Sequence, residues 1–170
     1  SGGPPFMEEG GAILFDDSGA PIVQYQEEIR FALAVPKGEP PAGGWPLVLY
    51  AHGTGGDYKS FLYRRGWSGS DLMIPRGVAI MGIDQPLHGP RGPAGTDVYL
   101  ASFNFFNPDA ARSNFRQAAA DVFWELRMAQ ETLEIPQAIS PTGAKIDFNG
   151  QSIAFFGHSH RGLSGALLLP

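Results

Sequence analysis

Cysteine is absent from the 170-residue chain. That excludes disulfides, thiolate nucleophiles and cysteine-ligated metals. Charge is also sparse, at 17% of residues, where soluble domains carry roughly 25%. The 12 basic and 17 acidic side chains leave a net charge of −5 with no Lys/Arg cluster. Nucleic acid and anionic membrane surfaces are therefore not the expected partners. No apolar run reaches the roughly 18 residues that a membrane-spanning helix requires. No charged-then-apolar leader opens the chain, which begins at Ser1. A trimmed or processed N-terminus is the expectation.

What is abundant is turn-forming residues: 23 glycines and 15 prolines, beside 43% apolar and 12% aromatic residues. The glycines have no three-residue period and the aromatics are plentiful, so the composition is that of one globular domain with many tight turns. Residues 1–11, SGGPPFMEEGG, read as a flexible lead-in. Ala12–Phe15 and Ile22–Tyr25 flank Asp16-Asp17-Ser18-Gly19 and predict an antiparallel hairpin. Ile29–Val35 alternates as a half-buried strand should. Leu47–Ala51, Val78–Ile83 and Ile153–Phe156 are instead near-continuous apolar runs. Such runs suit strands covered on both faces, hence a parallel sheet within an α/β fold.

Phe115, Ala119, Val122, Leu126, Ala129 and Leu133 recur at three- and four-residue steps, which predicts a helix with one apolar stripe. Asn107-Pro108 supplies a cap and a first-turn proline, Ser113 with Gln117 offers a second start, and Pro136 is the expected stop. A second helix is expected within Lys59–Met73, ended by Pro75 and Gly77. Strand, helix, strand, helix, strand at these spacings makes a run of βαβ units.

All four histidines, His52, His88, His158 and His160, fall just after a predicted strand. In an open parallel sheet, ligands bind at the carboxyl ends of the strands. The segment Phe155-Phe156-Gly157-His158-Ser159-His160-Arg161-Gly162 runs from a strand through Gly-x-Ser into a small-residue helix start. It resembles the nucleophile elbow of the α/β-hydrolases, where a sharp strand-to-helix turn lifts a serine above the sheet. The turn needs small neighbours because the helix packs close on the strand. The family pattern G-x-S-x-G has glycine two residues after the serine; here that position is Arg161, and Gly162 follows.

Ala51-His52-Gly53-Thr54-Gly55-Gly56 is similar to the His-Gly segment that supplies half of the oxyanion hole in esterases of that family. By that resemblance, Ser159 is the nucleophile and the N–H groups of Thr54 and His160 hold the oxyanion. Gly157, His158, Gly162, His52 and Gly53 then support the elbow and the loop. The likeness covers most of residues 27–170. It implies the α/β-hydrolase fold, a mostly parallel sheet flanked by helices behind an N-terminal hairpin. It also implies a secreted or envelope-associated serine hydrolase of carboxylic esters that needs no cofactor. Asp84 and His88 are an apparent acid and base, but the family's chain order places both after the serine. Phe103-Asn104-Phe105-Phe106 is expected chiefly to pack the core, with an acyl pocket as the other role.

A serine nucleophile needs a base and an acid to orient it, and the chain closes at Pro170 within the helix expected after the elbow. Residues 12–170 are accordingly read as the N-terminal part of one hydrolase domain. The acid and His would come from a second polypeptide or a C-terminal fragment, and one apolar sheet edge is left unpaired. Two other readings compete. His158-Ser159-His160 in extended backbone would put two imidazoles on one face, a metal site with His52, His88 or Asp84 as further ligands. Arg161 in place of glycine suits a non-catalytic binding module on a degenerate hydrolase fold.

Overall fold

An apolar run can be buried on both faces only inside a sheet with helices above and below it. Leu47–Ala51 and Ala79–Ile83 meet that condition, whereas Ile153–Phe156, at the sheet edge, is covered on one face only, with Phe156 half exposed. A computed structural model describes residues 4–63 and 68–169. Strands β1 (Phe31–Ala34), β2 (Trp45–Ala51), β3 (Ala79–Ile83) and β4 (Phe148–Gly157) form one sheet in the order β1-β3-β2-β4. β2 pairs in parallel with β3 and with β4, and β1 pairs antiparallel with β3. The helices are α1 (Ser60–Tyr63), α2 (Gly69–Met73), α3 (Val98–Phe103), α4 (Pro108–Glu131) and α5 (His160–Gly165). This mixed four-strand sheet flanked by helices is an α/β-type fold.

Side-chain alternation along the strands divides the core between two layers. Trp45, Leu47, Leu49, Ala79 and Met81 face Val122 and Ala129 of α4. Val48, Tyr50 and Ile80 face Phe61 of α1 on the other side. The apolar stripe expected on α4 is the buried one, with Ala119, Val122 and Ala129 inside and Trp124 on the outer surface. Asn107 caps α4 by accepting from the Ala110 N–H, with Pro108 next. The second start signal is not used: Ser113 lies within the helix, and its hydroxyl accepts from the Ile13 N–H. α4 closes at Glu131, ahead of Pro136, where the Leu133 N–H turns back to Met128 O at 2.7 Å. The helix expected within Lys59–Met73 is found as α1 and α2, with residues 64–67 outside the described residues.

The N-terminal hairpin reduces to a turn with a single antiparallel bridge, Phe15 to Pro21. Two physical causes act. Pro21 has no N–H with which to extend a ladder, and Leu14, Phe15 and Ile22 are about half exposed, with no second layer to cover them. Asp16 holds the turn instead, its carboxylate accepting from the Ser18 and Ala20 amides. The lead-in lies against the helical layer, where Phe6 O accepts from both Asn104 and Asn107 side-chain amides. No helix among the described residues is long and apolar enough to cross a membrane.

Candidate active site

Connections leaving β2 and β4 depart to opposite faces of the sheet. β2 leads to α1, packed with Val48 and Tyr50, while β4 leads to α5, which packs with α4. Adjacent parallel strands that diverge in this way open a crevice at their carboxyl ends, where open α/β sheets bind ligands. Gly53, after β2, and Ser159, after β4, meet there: a Cβ built on Gly53 would lie 3.0 Å from Ser159 Cβ.

Ser159 links β4 to α5 at φ 55° and ψ −125°. A left-handed φ on a non-glycine residue costs of order 1–3 kcal/mol and persists only where the surroundings enforce it. Serine at a helix N-cap usually recovers energy by accepting from an amide in the first turn. Ser159 makes no such bond, so its hydroxyl is not committed to the helix. The close approach falls at Gly157, where an added Cβ would lie 2.6 Å from the Arg161 carbonyl oxygen. At Gly162 it would meet only Gly157 O, at 3.8 Å, so space there does not require glycine. The close packing of α5 on β4 therefore falls on Gly157, against the Arg161 backbone.

Among the described residues, neither the Thr54 N–H nor the His160 N–H donates to an acceptor. At His160 this follows from helix geometry, because first-turn amides have no intrahelical partner. At Thr54 it follows from a loop fastened on both sides. His52 Nε2 accepts from the Gln85 N–H at 3.1 Å, so Nδ1 carries the ring proton and donates to Gly53 O at 2.8 Å. His88 Nε2 accepts from the Gly55 N–H at 3.1 Å, and its Nδ1 donates to Pro86 O at 2.9 Å. The two rings meet edge to face, 4.7 Å apart. Sequence reading assigned His52 a supporting role and missed that of His88. The available signal was their shared position, each a few residues past a buried strand.

Burial, chiefly, pushes the His52 pKa down from 6.5 to about 4, with smaller contributions from neighbouring His88 and the Arg161 charge. His88 shifts in the same direction for the same leading reason. As pH falls, the unfolded chain therefore takes up protons before the folded one does. This stabilisation is complete above about pH 6.5 and is lost toward pH 4. His52 alone is expected to make the protein about 2 kcal/mol less stable at pH 5 than at pH 7. Urea unfolding at the two pH values checks this, and His52→Gln should flatten the difference.

Around the strand-to-helix turn lie buried charges that the sequence did not announce. Arg161 is 1% exposed; its Nη2 donates to Pro86 O at 3.4 Å, while Nε and Nη1 find no partner among the described residues. Burial outweighs the attraction of Asp121 and lowers its pKa to about 10. Arg91 binds Asp121 at 2.7 Å and Glu27 at 2.6 Å. Glu125, buried one turn beyond Asp121, is raised well above the ordinary carboxyl range by burial and by that neighbour. His160 is held between Phe103 and Phe115, with ring centroids 4.5 and 4.4 Å away. Burial, followed by the Arg161 charge, lowers its pKa to about 4.

These placements separate the residues of the metal reading. The left-handed turn at Ser159 ends the extended backbone that would align His158 with His160. His158 Nδ1 lies toward Gly53, whereas the His160 ring lies between the two phenylalanines. All four ring nitrogens of His52 and His88 engage backbone groups. Among the described residues, no group of three or more His, Asp or Glu could hold a metal ion. Asp84 is buried and structural, bound to Arg30 at 2.7 Å and accepting from the Tyr58 N–H. The core role expected of Phe103–Phe106 is corrected. Asn104 caps α3 at φ 39° and is itself buried, which turns Phe105 and Phe106 outward at 81% and 75% exposure. Tyr99, against Gly55, extends this aromatic surface toward the loop after β2. No protein-family model matches the chain, and no curated protein matches it significantly.

Proposed function

We propose that this chain carries the nucleophile and oxyanion hole of a serine hydrolase of carboxylic esters, on an α/β-hydrolase fold. One observation carries the reading: Ser159 occupies a strained strand-to-helix turn with its hydroxyl uncommitted. The unpartnered Thr54 and His160 amides beside that turn support it. Ser159 Oγ attacks the ester carbonyl as a His supplied by another segment or polypeptide takes its proton, and an acid orients that His. Thr54 and His160 donate to the oxyanion of the tetrahedral intermediate. Collapse of that intermediate expels the alcohol, which is reprotonated by the His, and leaves an acyl-enzyme on Ser159. Water, deprotonated by the same His, then releases the carboxylic acid.

A fluorophosphonate probe tests the reading by trapping a serine nucleophile covalently. Intact mass under denaturing conditions is expected to show one adduct per chain, and peptide mapping is expected to put it on Ser159. The same spectrum would reveal any second polypeptide that supplies the base. An unlabelled Ser159 in the natural protein overturns the proposal and moves the binding-module reading forward.

A further inference from the structure

We propose that His88 is a positioning residue for the oxyanion hole, holding the Thr54 amide in its aim from a loop that contributes no reacting group. The inference rests on the hydrolase reading above and goes beyond it. A peptide unit is planar, so the C=O of one residue and the N–H of the next point in opposite directions. Holding Gly53 O therefore constrains the direction of the Thr54 N–H. That carbonyl is held by His52 Nδ1 and by the Gly56 N–H at 3.0 Å. These bonds hold that plane only at its oxygen, and it can still tip about that point, swinging the Thr54 N–H, unless the chain beyond Thr54 is held as well. The following peptide, Thr54–Gly55, is anchored by His88, whose Nε2 accepts the Gly55 N–H. Held at Gly53 O on one side and at the Gly55 N–H on the other, the Thr54 amide keeps its direction.

His88 can do this because its own ring is fixed. Nδ1 donates to Pro86 O, the same carbonyl that Arg161 Nη2 approaches from the elbow helix. Pro86 O thus joins the loop after β3 to α5, and His88 joins that loop to the one after β2. All three strand ends around Ser159 are tied through one buried imidazole, 3% exposed. The ionisable groups facing it are His52, Asp84, Arg91, His160 and Arg161. A proton on Nε2 would place a donor against the Gly55 N–H and break the anchor.

The test compares His88→Phe, which keeps a ring but no acceptor, with His88→Gln, which can still accept the Gly55 N–H. On the protein as its gene encodes it, His88→Phe is expected to lower kcat for an ester about 30- to 100-fold, within the loss caused by removing one oxyanion donor. KM should stay within about threefold, and His88→Gln should recover most of the rate. Equal kcat for wild type and His88→Phe overturns the proposal, as does a Gln variant as slow as the Phe one. If His88→Phe does not fold, nitrogen NMR of the wild type decides: a proton on Nδ1 with Nε2 bare supports the anchor, and the opposite tautomer overturns it. A wild type that neither turns over esters nor takes the fluorophosphonate label overturns the hydrolase reading, and this inference with it. A wild type that labels at the same rate as His88→Phe overturns this inference alone.

Discussion

Ser159→Ala is expected to lower ester kcat by roughly 10⁵-fold or more, the scale of loss when a catalytic serine is removed. Stability should be nearly unchanged, because an N-cap serine contributes about 1 kcal/mol only when its oxygen accepts from the first turn, and Ser159 makes no such bond. Ser159→Gly separates the two effects further. Glycine tolerates the φ of 55° without Cβ strain. Relief of 1–3 kcal/mol, offset by the extra backbone entropy glycine loses on folding, leaves a net gain of about 1 kcal/mol. The melting temperature should rise by about 2–4 °C while turnover disappears. Such a gain would identify Ser159 as a residue kept at a cost in stability. A glycine variant that melts lower, or an alanine variant that still turns over ester, refutes the assignment. Calorimetry and a chromogenic ester assay on the same preparations measure both.

The fold was legible wherever burial acts on runs of residues. Leu47–Ala51 and Val78–Ile83 are apolar throughout because β2 and β3 are covered on both faces, and they fall almost on the observed strands. The α4 stripe was legible for the same reason, and Asn107-Pro108 marked its start. The strand-to-helix turn at Ser159 could be read locally, because Gly157 leaves room for the backbone of α5 where a side chain would not fit. What could not be read depends on contacts between distant segments. Nothing local distinguishes Arg161 from a surface arginine, yet it is among the most buried side chains. His88 looked like a possible base, but its nitrogens are occupied by Gly55, 33 positions earlier, and by Pro86. Phe105 and Phe106 looked like core, and a single left-handed Asn104 turns them outward. Composition predicts burial on average; the exceptions follow from backbone turns and long-range hydrogen bonds.

Gly157→Ala is expected to destabilise the protein by about 2–3 kcal/mol, the usual scale of forced overpacking. Backbone conformation is not the cause, since Gly157 does not adopt a positive φ. Space is the cause. The added Cβ would lie 2.6 Å from Arg161 O and 2.8 Å from its carbonyl carbon, both backbone atoms of α5. No side-chain rotation relieves contacts of that kind, so α5 must tilt away from β4. The tilt carries the His160 amide with it, and fluorophosphonate labelling of Ser159 should slow by at least about tenfold. Gly162→Ala, five residues further on, is the matched control. It adds the same methyl group within α5, where the nearest atom is Gly157 O at 3.8 Å. There alanine should be neutral or stabilise by up to about 1 kcal/mol through its helix propensity. At this chain length, each kcal/mol moves the melting temperature by about 2–4 °C. Gly157→Ala should therefore melt about 4–12 °C lower, and Gly162→Ala at or above the wild type. If the two variants behaved alike, the close approach of α5 to β4 would be wrong, and the strained turn at Ser159 would lose its structural cause.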